Sequence, residues 1–165
     1  MNAIVSRRAV LVGGVTAGSL LAGAAVFTFA SRPAAGAAVL SEIELAVVEQ
    51  AARVLFPAGI FPVAGGDGQT GPAVDALLAE VIDPPAVAPF RSMLAALEWG
   101  TLVSRGTRFS ELSQDEATHV IDIWASENPA PRRVAFDSLQ ALLSMAFLRR
   151  EEVIETIGWR VGCFG

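Results

Sequence analysis

From residue 40 onward the apolar positions recur at intervals of three and four, and Pro or Gly falls between the recurring groups. That period belongs to helices with one buried face. Ser41-Glu42-Ile43-Glu44 reads as a capping box opening the first helix, which carries Leu45, Val48, Ala52 and Leu55 on one face and stops at Phe56-Pro57. Glu49 and Arg53 are spaced as an i,i+4 ion pair on its other face. Residues 57–71, with Gly59, Gly65, Gly66, Gly68 and Gly71, read as a flexible connection. No strand precedes this stretch and no Gly-Lys-Ser/Thr follows, so it is not a phosphate loop.

A second helix is predicted to open at Pro72 and to carry Val74, Leu77, Leu78, Val81 and Ile82 until Pro84-Pro85 interrupts it. The third, about 86–104, places Phe90, Met93, Leu94, Leu97 and Trp99 on a broad apolar face, and Gly106 marks its end. A second capping box, Ser113-Gln114-Asp115-Glu116, starts a fourth helix with Ala117, Val120, Ile121 and Trp124 at i, i+3, i+4 and i+7. After Pro129-Ala130-Pro131 a fifth helix from about Arg132 to Phe147 carries Phe136, Leu139, Leu142, Leu143 and Ala146 and is expected to lie centrally. A short sixth covers about 150–157. No useful segment alternates at period two, so the expected class is all-α, a small irregular bundle of five to six helices preceded by an N-terminal signal or hydrophobic helix.

That leading segment is of a different kind. Ala9 to Ala30 holds no charged residue, and these 22 positions would rise about 33 Å as a helix, enough to span a hydrocarbon core. Immediately before it stands Ser6-Arg7-Arg8-Ala9-Val10-Leu11, which has the pattern of a twin-arginine export signal carried by Arg7 and Arg8, with Val12 where Lys is usual. Gly13, Gly14, Thr16, Gly18, Ser19 and Gly23 dilute the apolar run, as in removable signals more than in committed anchors. An ordinary secretory signal and a retained anchor are the alternatives. Ala35-Gly36-Ala37 supplies an A-x-A cleavage pattern, which divides the chain into a leader, 1–37, and a helical domain, 38–165. In each case Arg7 and Arg8 keep the amino end in the cytoplasm and the domain is expected on the extracytoplasmic, periplasmic side.

Composition narrows the chemistry. The chain is 165 residues, 53% hydrophobic and 18% charged, with one His, one Cys and no Tyr. All its cations are Arg, so lysine Schiff-base and P-loop chemistry are excluded. An intramolecular disulfide, a Cys/His zinc site made by one chain and a C-x-x-C-H haem attachment are excluded too. The formal net charge is −5, and loss of residues 1–37 removes Arg7, Arg8 and Arg32 but no acid, giving −8. Such a domain repels phosphate backbones, and no nucleic-acid partner is expected.

No catalytic set stands out. His119 falls between the apolar positions of the fourth helix, with Asp115 and Asp122 on the same side, and reads as a surface residue. The pairs Asp115-Glu116 and Glu151-Glu152 stand at helix starts, where carboxylates complement the macrodipole. Trp99 and Trp124 read as core. The tail Gly158-Trp159-Arg160-Val161-Gly162-Cys163-Phe164-Gly165 lies outside the periodic helices, and its Trp159, Cys163 and Phe164 are candidates for a partner interface. Cys163 has three readings: an intersubunit disulfide, a reactive thiol, or an inert buried one.

The order of these signals resembles the gluconate 2-dehydrogenase subunit 3 family, the small subunits of membrane-bound flavoprotein sugar and polyol dehydrogenases. The resemblance rests on the twin-arginine leader, Leu40-Ser41-Glu42 opening a helix that ends in Phe56-Pro57, Gly71-Pro72-Ala73-Val74, and Arg108-Phe109-Ser110-Glu111-Leu112-Ser113. Phe136-Asp137-Ser138-Leu139 to Phe147, Glu152-Val153 and Ile157-Gly158-Trp159 complete it. The family more often has Tyr near its carboxyl end, where this chain has Phe147 and Trp159. The resemblance implies a non-catalytic subunit with no cofactor of its own, bound to a large FAD-dependent dehydrogenase subunit and often accompanied by a multihaem cytochrome c. Membrane association would come through the leader or the partner. The competing expectation is a freestanding exported helical domain that binds a ligand or a cell-envelope partner.

Overall fold

The structure, a computed structural model, describes residues 32–126 and 130–158. Within them the chain forms six α-helices and one 3-10 turn, and no strand. The helices are α1 (Glu42–Leu55), α2 (Thr70–Glu80), α3 (Pro84–Arg105), α4 (Gln114–Ser126), α5 (Ala130–Leu148) and α6 (Glu151–Thr156), with the 3-10 turn Phe109–Glu111 between α3 and α4. The leader lies outside the described residues. Among the described ones no helix is long and apolar enough to cross a membrane.

Local signals place the helix ends. At α1 the Ser41 Oγ accepts from the Glu44 N–H at 3.4 Å while Glu44 Oε2 accepts from the Ser41 N–H at 2.8 Å. The same reciprocal pair joins Ser113 and Glu116 ahead of α4. Gly106 ends α3 in the left-handed conformation, at φ 74°. Pro84 and Pro85 do more than interrupt α2: they form the first turn of α3, where a missing N–H costs nothing. α2 correspondingly begins at Thr70, two residues before the predicted Pro72.

Two helices organise the core. α1 packs against α2, α3, α4 and the 3-10 turn, while α5 packs against α2, α3, α4 and α6, so the expected central place of α5 is shared with α1. Phe136, Leu139, Leu142, Leu143 and Ala146 of α5 are all buried, as are Phe90, Met93, Leu94 and Leu97 of α3. On α1 the buried face is centred on Val47, Val48, Ala51 and Ala52, with Leu45 and Leu55 at its margins. The rotation has a cause: Glu44 and Gln50 go inward too, Glu44 to meet Arg91 at 2.8 and 2.9 Å and Gln50 to donate to the Leu112 carbonyl at 2.8 Å.

The glycine-rich connection is pinned rather than flexible. A Cβ on Gly65 would lie 2.2 Å from the Ala52 carbonyl oxygen, so only glycine lets this backbone rest on α1. Glu49 accepts the N–H groups of Gly68 and Gly71 at 3.2 and 2.6 Å, and Arg53 donates to Gln50 and to the Gly66 carbonyl. Glu49 and Arg53 therefore bind the connection, not each other as their spacing suggested. Phe61 enters an aromatic cluster in which Phe56 and Phe147 stack at 4.3 Å.

Candidate functional site

Where α3, α4 and α5 converge they leave an open cleft of about 690 Å³, within the ~300–1,000 Å³ typical of ligand sites. Met93, Leu97 and Thr101 of α3 line it together with Val120, Ile123 and Trp124 of α4 and Ala135 of α5. Ala96, Gly100 and Ser104 add a row of small side chains one helical turn apart, which keeps the α3 backbone accessible. Arg105, from the end of α3, and Arg132, from the start of α5, bring positive charge. Among the described residues no Asp or Glu lines the cleft, while two Arg do, on a chain of net charge −5.

The polar groups here divide into two kinds. Thr101 Oγ1 donates to the Glu98 carbonyl at 3.0 Å and Ser104 Oγ to the Gly100 carbonyl at 3.2 Å, so both hydroxyls serve their own helix. Arg105 makes no ion pair among the described residues. Its charge adds a minor pull on Glu116, whose carboxyl is held below the usual carboxylate range mainly by the Ser113 hydroxyl and N–H. Gly100 is the unusual residue. A Cβ there would meet nothing within 4 Å among the described residues, so none of them requires glycine, although glycine inside a helix costs roughly 0.5–1 kcal/mol relative to alanine.

The buried acids hold elements together. Glu98, 1% exposed, accepts from the Ser110 N–H at 2.9 Å and the Ser110 Oγ at 2.7 Å, tying the 3-10 turn to α3. Asp75, 5% exposed on α2, accepts from the N–H groups of Ala38, Val39 and Leu40 at 2.7, 2.9 and 2.7 Å. Sequence reasoning missed both roles. The signal was there in part, because Glu98 falls in register with Leu94 and Thr101 on the apolar face, where a charge needs a partner.

Of the residues singled out from the sequence, Arg7, Arg8, Trp159, Cys163 and Phe164 all lie outside the described residues. His119 is exposed on α4, away from any nucleophile–base arrangement. Trp99 is half-buried, and Trp124, also half-buried, divides its surface between the core and the cleft. Among the described residues no group of three or more His, Cys, Asp or Glu side chains is placed to hold a metal ion. What the cleft offers chemically is an apolar slot with Arg105 and Arg132 in its lining, suited to an apolar surface. Comparison of the chain with protein families, curated proteins and solved structures gives no match.

Proposed function

We propose that this chain is the non-catalytic small subunit of an exported FAD-dependent sugar or polyol dehydrogenase, a member of the gluconate 2-dehydrogenase subunit 3 family, which escorts and stabilises the flavoprotein subunit. The observation that carries the reading is Gly100. A helix interior that tolerates glycine against its own stability, at an open apolar cleft where no contact among the described residues requires it, fits close approach by another chain. The motif order quoted above supports the family, and Ser6-Arg7-Arg8 supports the route. Twin-arginine translocation carries folded cargo, so one leader serves two chains if the flavoprotein acquires FAD and binds this subunit before export. The FAD, the sugar contacts and any haem belong to other chains on this reading, and Trp159, Cys163 and Phe164 of the tail extend the interface.

The test is purification of the tagged full-length chain from its native host, followed by a flavin absorbance spectrum and localisation of both subunits. Stoichiometric flavin in a second, larger chain is expected. Arg7→Lys with Arg8→Lys keeps the charge but removes the paired guanidinium signal, and should retain both chains in the cytoplasm. Export of the flavoprotein in that double variant would refute escort. Recovery of this chain alone, folded and exported, would favour the freestanding domain.

A further inference from the structure

Asp75 of α2 holds the segment by which the chain enters the core. Its carboxylate is buried, it collects three backbone N–H groups, and no basic side chain is paired with it among the described residues. The three donors belong to Ala38, Val39 and Leu40, the first three residues after Ala35-Gly36-Ala37. In residues 32–37 the chain is mostly exposed: Arg32, Pro33, Ala35 and Gly36 are exposed, Ala34 and Ala37 are half-buried, and Gly36 turns the backbone at φ 85°. The core begins at Leu40, fully buried, with Val39 packed against it. The A-x-A pattern ends three residues before Leu40.

We propose that the chain is cut between Ala37 and Ala38 and that the new α-ammonium of Ala38 forms an ion pair with Asp75. This rests on reading residues 1–37 as a removable leader. An endopeptidase of the export membrane would add water across the Ala37–Ala38 peptide bond. The hydroxyl goes to the Ala37 carbonyl carbon, which departs as a carboxylate with the leader, and the Ala38 nitrogen becomes an ammonium at neutral pH. That nitrogen already stands 2.7 Å from Asp75 Oδ2, so the amide-to-carboxylate bond becomes charge-assisted without moving the chain. Two bonds leave with the leader, Ala37 N–H to the Ala34 carbonyl and Ala34 N–H to the Leu40 carbonyl. Processing therefore exchanges a turn closed on the leader for an ammonium docked on α2. Ala38 is exposed as a residue, which spares the ammonium most of the desolvation that a deep ion pair suffers.

The experiment begins with the full-length gene expressed in its host, the chain recovered from the extracytoplasmic side, and its intact mass measured. A mass equal to residues 38–165 is expected. The α-amino group of that chain is then titrated by NMR. An unpaired α-amino group titrates near 7.7–8.0, and one docked on a carboxylate should titrate about one unit higher or more. Asp75→Asn should return it to the ordinary range. Should that variant fail to fold, acetylation of the native Ala38 amine keeps the N–H donor and removes the charge, and should lower Tm by a few degrees. An exported chain that still carries residues 1–37, or begins elsewhere, overturns this proposal and leaves export standing. An uncut chain confined to the cytoplasm sinks both, and an Ala38 amine that titrates in the ordinary range sinks the pairing alone.

Discussion

Arg150, just beyond the end of α5, grips Asp67 of the glycine-rich connection with two nitrogens, Nη1 to Oδ1 at 3.0 Å and Nη2 to Oδ2 at 2.8 Å. Its guanidinium carbon also stands 5.7 Å from the centre of the Phe147 ring, which stacks on Phe56. One side chain thus closes the connection over the aromatic cluster. The hydrogen bonds from Arg150 hold the Asp67 carboxyl below its usual value of 3.8 against the opposing effect of burial, with help from the Gln69 N–H.

A pH dependence follows. A carboxylate whose folded pKa is depressed contributes stability that is complete above the unfolded value and is lost as pH falls through the folded one. Stability should therefore decline below about pH 4, and Asp67→Asn should flatten that part of the acid limb. Because the pair is partly solvated, Arg150→Ala should cost about 1 kcal/mol or less from the ion pair, plus about 0.5–1 from the lost ring contact. Urea denaturation of wild type and variants between pH 2.5 and 7 measures both. An acid limb identical in Asp67→Asn and wild type would contradict the assignment.

Two glycines should respond in opposite directions to the same substitution. Gly65→Ala drives a methyl into the Ala52 carbonyl and should destabilise by about 2 kcal/mol or more. Gly100→Ala meets open space and should stabilise by about 0.5–1 kcal/mol. Denaturant midpoints decide, and a Gly100→Ala variant weaker than wild type would show that the fold does need this glycine.

Gly100 also offers a test of the proposed partnership that is separate from folding. Gly100→Trp should fill the cleft between α3, α4 and α5 with little loss of stability, yet reduce co-purification of the flavoprotein by about tenfold or more. Arg105→Glu should weaken the same association and make it less sensitive to salt. Undiminished flavin in both purified complexes would move the interface elsewhere.

Thr70 Oγ1, at the start of α2, is buried without a hydrogen-bond partner among the described residues. Removing an unpaired buried hydroxyl while keeping the shape should help, so Thr70→Val is expected to gain about 1 kcal/mol. A loss on thermal or chemical denaturation would mean that the hydroxyl has a partner in solution.

If the proposed export and partnership hold, Cys163 is expected to form an intersubunit disulfide that closes after the chain leaves the reducing cytoplasm. Non-reducing electrophoresis of the complex, with thiols alkylated before denaturation, should show one band at the sum of both masses. Cys163→Ser should then leave export intact and make the complex separate more readily on dilution. Two separate bands without reductant exclude the bridge.

The sequence by itself determined the helices and most of their ends. Ser41 with Glu44, Ser113 with Glu116 and Gly106 act on backbone groups within a turn of themselves, and the three-and-four spacing of Phe136 to Ala146 is visible without knowing what covers it. Only the tertiary structure decided where the charges go. Glu49 was set beside Arg53 by spacing but binds Gly68 and Gly71, Asp75 reaches back 35 residues to Leu40, and Asp67 meets Arg150 across 83. The cleft, too, exists only once α3, α4 and α5 have packed. The physical reason is one of range. Helix caps and periodicity are settled by neighbours a few bonds away, whereas a buried carboxylate takes whichever donors the packing of whole helices brings to it, and a cleft is the space that packing leaves.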